Sequence, residues 1–154
     1  MRNGLEAEQR VVDAPGRVVL DPNVLVSAAI TSSGATAEIL DLIDASVITP
    51  VVSPALLTEL TLVLRRDKFR AYLDVGAALA FVAEVERLAE TWDDPDSDST
   101  ESPDPDDAYL IALARSAKAD ALVSGDSDLT TLDLPDLLVL SPRELLDAVA
   151  GRKR

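Results

Sequence analysis

Apolar residues in this chain fall into short continuous runs, separated by longer stretches in which they recur every three or four positions. The first pattern is that of buried strands and the second that of helices with one face on a core. Arg17-Val18-Val19-Leu20-Asp21 is a β-branched run ending on an acid, and it predicts a buried parallel strand. A helix is predicted at about 35–45, where Ile39, Leu40, Leu42 and Ile43 are apolar. Val47 to Val52 predicts a second strand, closed by Ser53-Pro54. Residues 54–66 then read as a strong helix, with Ser53 as its cap and Pro54 at its first position. A further helix is predicted over 75–91, rich in Ala, Leu, Val and Phe.

Residues 93–106 interrupt the pattern with acids, serines and prolines, the composition of an exposed, flexible loop. A helix at 106–118, a strand from Ala121 to Ser124 and a last strand from Leu137 to Leu140 follow. Ser141-Pro142-Arg143-Glu144 caps a final helix to about Ala150. Short strands alternating with longer helices, without an internal repeat, predict an α/β fold whose parallel sheet is covered on both faces. Residues 1–16 lack apolar periodicity and end in the turn signal Asp13-Ala14-Pro15-Gly16, so a loose N-terminal extension is expected ahead of one domain at 17–150. Residues 151–154 form a basic tail.

Composition narrows the chemistry sharply. The 154 residues are enough for a single core. That core must be aliphatic, because only 3% of the residues are aromatic while 47% are hydrophobic. The absence of cysteine excludes disulfides, thiolate zinc sites and cysteine nucleophiles. The absence of histidine excludes His-dependent triads and the usual zinc ligand sets. What remains is hard-ion chemistry on oxygen: Mg²⁺, Mn²⁺ or Ca²⁺. No apolar run is long enough to span a membrane, and the polar N-terminus does not read as a signal peptide, so a cytoplasmic protein is expected. The net charge of −14 argues against a general nucleic-acid coat but leaves room for a local basic patch.

Several acids sit where ligands gather in such folds, beyond the carboxyl ends of the strands. Asp21 ends the first strand, Asp126 follows the strand at 121–124, and Asp128 lies two residues on. Each has a plain alternative as a turn or strand-ending acid. Glu59 lies at the edge of the stripe Leu56, Leu57, Leu60, Val63 and Leu64, with no cation three or four residues away. It is either a boundary side chain reaching water or a carboxylate in need of a partner. Asp107 heads the stripe Leu110, Ile111 and Ala114, and it reads equally as ligand or as part of an N-terminal cap with Asp104, Pro105 and Asp106. Four such acids in a chain without His or Cys make a hard-metal site the economical reading.

The motifs in order resemble those of PIN domains. Val18-Val19-Leu20-Asp21-Pro22-Asn23-Val24-Leu25 resembles the family's opening, with Pro22 where Thr or Ser is usual. Ser53-Pro54-Ala55-Leu56-Leu57-Thr58-Glu59-Leu60 resembles its second motif and Asp104-Pro105-Asp106-Asp107-Ala108-Tyr109-Leu110-Ile111-Ala112 its third. Leu122-Val123-Ser124-Gly125-Asp126-Ser127-Asp128-Leu129 resembles its fourth, with Ser124 in place of the commoner Thr. The resemblance, over residues 17 to about 145, implies a three-layer α/β/α sandwich with a central, mostly parallel sheet. It also implies a Mg²⁺- or Mn²⁺-dependent ribonuclease similar to VapC-type toxins, with a homodimer and a cognate antitoxin as partners. By carry-over, Asp21, Glu59, Asp107 and Asp126 match the family's acids. Asp21 and Asp107 are expected to hold metal directly, Asp126 directly or through water, and Glu59 to complete the shell or orient the attacking water. Asn23, Ser124, Asp128 and Asp106 are expected to support them.

Arg65, Arg66, Lys68 and Arg70 form the dense basic cluster inside the fold and are the expected RNA contact, or else a solvated helix end. Two rival readings are a non-catalytic PIN scaffold serving as a protein-interaction module and an aspartate phosphotransferase or receiver. The second is disfavoured by Asn23, where a phosphotransferase needs a second Asp, and by the lone acid after the first strand, where a receiver needs a pair.

Overall fold

The computed structural model describes residues 16–96 and 105–152. The expected extension (except Gly16), the centre of the acidic loop and the last two residues of the basic tail lie outside these. Five strands form one parallel sheet: β1 (Arg17–Leu20), β2 (Thr49–Val52), β3 (Glu90–Thr91), β4 (Ala121–Val123) and β5 (Val139–Leu140), in the order β3-β2-β1-β4-β5. The helices are α1 (Pro22–Ile30), α2 (Ala35–Asp44), α3 (Pro54–Leu64), α4 (Val75–Leu88), α5 (Pro105–Ser116), a single turn α6 (Ser127–Thr130) and α7 (Pro142–Arg152). A 3₁₀ turn, Asp67–Phe69, links α3 to α4.

Consecutive residues of the central strands are all buried: Val18, Val19 and Leu20 in β1, Val51 and Val52 in β2, and Ala121, Leu122 and Val123 in β4. Because neighbouring side chains on a strand point to opposite faces, the sheet is covered on both sides. The α/β/α sandwich with a parallel sheet is therefore the fold. Its core is aliphatic, joining those strands to Leu25, Ile39, Leu56, Leu60, Leu64, Leu110, Ile111, Leu113 and Leu145.

Helix α1, strand β3 and the single turn α6 are not predicted by the periodicity. In α1, Pro22, Val24, Leu25, Val26 and Ala28 are all buried and only Asn23 and Ser27 are polar, too few to mark a period. Pro22 is well placed at the first position of α1, where its missing N–H would have no helical acceptor in any case. Residues 90–91, expected to end a helix, instead form β3 beside β2, because the helix stops at Leu88 and Ala89 is extended. The last strand is shorter than expected, with Leu137 and Leu138 preceding it.

Strand order runs outward from β1 through β2 to β3 and then crosses to β4 on the other side of β1. The carboxyl ends of β1 and β4 thus flank the topological switch point, where helices and loops diverge and leave a crevice.

Candidate active site

Asp21 leaves β1 at that switch point and is 4% exposed, one of three buried polar residues with Ser53 and Ser124 among the described residues. It caps α1: its Oδ1 accepts the backbone N–H of Asn23 at 2.9 Å. Its Oδ2 accepts the Ser124 hydroxyl at 2.8 Å from the end of β4. Ser124 Oγ in turn accepts the Asp126 N–H at 3.0 Å, and Asp126 Oδ1 accepts the Asp128 N–H at 2.9 Å to cap α6. This chain of bonds orders the loop after β4 around Asp21. Asp126 and Asp128 are exposed. A cleft of about 460 Å³ opens here, lined by Asp21, Asn23, Ser27, Thr36, Gly125 and Asp126 among others. Ser27 and Thr36 share a 3.0 Å hydroxyl contact that joins α1 to α2 on its wall.

Glu59 and Asp107 come from two other elements, α3 and α5. Glu59, half-buried on α3, finds its partner in Tyr109 of α5, whose hydroxyl donates to Glu59 Oε1 at 2.7 Å. Burial, then the bond to Glu59, then the charges of Glu59, Asp21 and Asp107 push the Tyr109 phenol far above its ordinary pKa. The phenol therefore stays a neutral donor, and all three carboxylates lie within electrostatic reach of it. Asp107 is half-buried, with its Oδ2 out of contact with solvent. The Asp106 side chain falls outside the described residues. Of the sequence-derived acids, Glu59 thus bonds the Tyr109 hydroxyl, Asp21 and Asp107 lie within electrostatic reach of that hydroxyl, and Asp126 lines the cleft with Asp21.

The basic residues are not brought to this place. Arg65, Arg66 and Lys68 are exposed beyond the C-terminal end of α3, starting six residues or about 9 Å along the axis from Glu59, and they do not line the cleft. Arg70 folds back, donating through Nη2 to the Leu64 and Arg66 carbonyls, so it finishes α3. Tyr109, Ser27 and Thr36 are absent from the sequence-derived site. For Tyr109 a signal exists: a tyrosine in an apolar helix needs an acceptor for its hydroxyl, and Glu59 among apolar neighbours needs a partner.

As arranged, the described residues contain no group of three acids close enough to enclose a metal ion. The donor set nevertheless suits Mg²⁺ or Mn²⁺: every candidate ligand is a hard carboxylate oxygen, and Mg²⁺ keeps several waters and binds through one or two carboxylates. The residues fit such an ion.

Comparison with known proteins bears on the class. Residues 17–128 match the PIN domain family model. The uncharacterized protein MJ1680 of Methanocaldococcus jannaschii is 31% identical over 116 residues, spanning 75% of this chain and 74% of that one. The chain belongs to the PIN-domain family, whose members are generally metal-dependent nucleases. Among solved structures, PAE2754 from Pyrobaculum aerophilum is similar with a TM-score of 0.62 at 18% identity, over 88% of this chain and 90% of that one. VapBC2 from Rickettsia felis, bound to a DNA fragment from its promoter, matches with a TM-score of 0.57 at 15% identity, over 81% of this chain and 98% of that one. At these identities the likeness is one of fold. Among the described residues, no helix is long and apolar enough to cross a membrane.

Proposed function

We propose that this chain is a metal-dependent endoribonuclease that cleaves RNA phosphodiester bonds and acts as the toxin of a toxin–antitoxin pair. The observation that carries the reading is that Glu59 of α3 bonds the half-buried Tyr109 hydroxyl, with Asp21, at the end of β1, and Asp107 of α5 within electrostatic reach of the same group. Family membership supports nuclease chemistry for that cluster. Residues 17–150 serve as the nuclease unit.

Asp21 and Asp107 are the direct metal ligands in this reading, and Asp126 joins them directly or through water. A bound Mg²⁺ or Mn²⁺ would polarise the phosphoryl oxygen and favour ionisation of a water. Everything else falls to the chain. Both Asp21 oxygens are already oriented, by Ser124 and by the Asn23 N–H, and each keeps a second lone pair for a ligand. Glu59 orients the attacking water, and its charge favours taking a proton from it. RNA enters the cleft beside Asp21 and Asp126, where Asn23, Ser27 and Thr36 offer neutral polar contacts that do not add to the negative field.

Mg²⁺ or Mn²⁺ is the cofactor, the setting is cytoplasmic, and the partners are RNA, an antitoxin and a second copy of the chain. The fold likeness to a VapBC complex supports the antitoxin and the dimer. Arg65, Arg66 and Lys68 collect RNA from outside the site, as a remote basic patch on an acidic protein does. The test is metal-dependent RNA cleavage by the chain and by its Asp21→Asn and Asp107→Asn variants.

A further inference from the structure

We propose that Tyr109 is a positioning residue, whose hydroxyl fixes Glu59 so that it faces the same point as Asp21 and Asp107. The inference rests on the ribonuclease reading above and adds to it a residue outside the metal-binding set. A glutamate at the middle of α3 has three free side-chain torsions and apolar neighbours Ala55, Leu56, Leu62 and Val63, so nothing on its own helix holds it. Among the described residues, the Tyr109 hydroxyl is its hydrogen-bond partner, at 2.7 Å and fifty residues away in sequence. The tyrosine ring is itself anchored, half-buried and packed against the hydrophobic core.

Packing alone would be served by phenylalanine. The hydroxyl adds a single directed donor that occupies Glu59 Oε1 and leaves Oε2 to a water or a metal. The same hydroxyl lies within electrostatic reach of Asp21 and Asp107, so the bond that holds Glu59 also sets where it is held. A group that orients a ligand in this way commonly changes metal affinity or activity by tenfold or more when removed.

A double-mutant cycle separates this role from a plain link between α3 and α5. Mn²⁺ affinity, measured by calorimetry or by electron paramagnetic resonance titration, is compared for the wild-type chain, Tyr109→Phe, Glu59→Ala and the double variant, with RNA cleavage and thermal melts alongside. Tyr109→Phe is expected to weaken Mn²⁺ binding about tenfold and to lower kcat with KM for RNA unchanged. In the Glu59→Ala background, the same change is expected to do nothing further. A Tyr109→Phe variant that melts lower but binds Mn²⁺ like wild type overturns the positioning role. So does an equal loss of affinity in both backgrounds. A wild-type chain that binds no Mn²⁺ overturns the ribonuclease reading and this inference together, whereas binding that is insensitive to Tyr109 overturns this inference alone.

Discussion

The Ser124 hydroxyl donates to Asp21 Oδ2 at 2.8 Å, tying together the ends of two adjacent parallel strands that are 103 residues apart in sequence. Both residues are buried, at 0% and 4% exposure, so neither group can turn to bulk water instead. Ser124→Ala removes the donor to Asp21 and the acceptor for the Asp126 N–H in one step. Leaving a buried carboxylate short of a donor costs about 1–3 kcal/mol or more. The melting temperature should fall by roughly 2–4 °C per kcal/mol for a domain of this size. A melt indistinguishable from wild type would mean that Asp21 is held without Ser124.

Much of this arrangement was legible in the sequence. Asp21, Asp126 and Asp128 could be placed because β-branched runs mark strands and acids mark where they end. Glu59 stood out because an apolar stripe ran beside it without a cation. Helix α1 was not legible, since a segment with only Asn23 and Ser27 as polar positions shows little amphipathic period. Strand β3 was not legible either: two residues that follow an apolar helix carry no alternation, and only pairing with Val51 and Val52 makes them a strand. Tyr109 was missed for a related reason, because its bond to Glu59 joins two helices and appears in neither helix's own pattern. The expected basic cluster was real in composition, yet Arg70 is used to finish α3 and the other three stand away from the cleft.

Acid stability should depend on Glu90. It bridges Arg17 and accepts from the Trp92 indole, and these two bonds, Arg17's first, hold its pKa below the ordinary 4.5. Folding therefore favours the charged form of Glu90. Its contribution is present above the ordinary value and is lost as pH falls through the depressed one. Both side chains are about one-third exposed, so solvent screens the pair and the effect is modest. Glu90→Gln should lower stability near neutral pH and leave it unchanged near pH 2, giving a shallower acid limb in denaturant melts run across that range. Parallel curves for the two proteins would remove Glu90 from the acid transition.

Substrate reach should depend on the exposed cations after α3. Replacing Arg65, Arg66 and Lys68 with Ala should weaken RNA binding and reduce the slope of log K against log salt by about 2, since three fewer counterions are released from a single strand. Catalytic turnover of bound RNA should change little, because these residues stand outside the cleft. Binding measured at several salt concentrations decides this, and an unchanged slope assigns the cluster to a protein partner or to solvent.

The central claim is that the carboxylates at the switch point make this chain a metal-dependent ribonuclease. The most direct measurement is the rate of single-stranded RNA cleavage by purified protein with Mn²⁺ or Mg²⁺ and with chelator, for wild type, Asp21→Asn and Asp107→Asn, each checked for folding by its melt. Cleavage by wild type with metal is predicted, none with chelator, and a loss of about 100-fold or more in each variant, as expected when a metal ligand is removed. Metal binding without turnover across a broad set of RNAs would instead mark a scaffold that keeps the PIN fold without its chemistry. Folded Asp21→Asn and Asp107→Asn proteins that cleave RNA at the wild-type, metal-dependent rate would contradict the account.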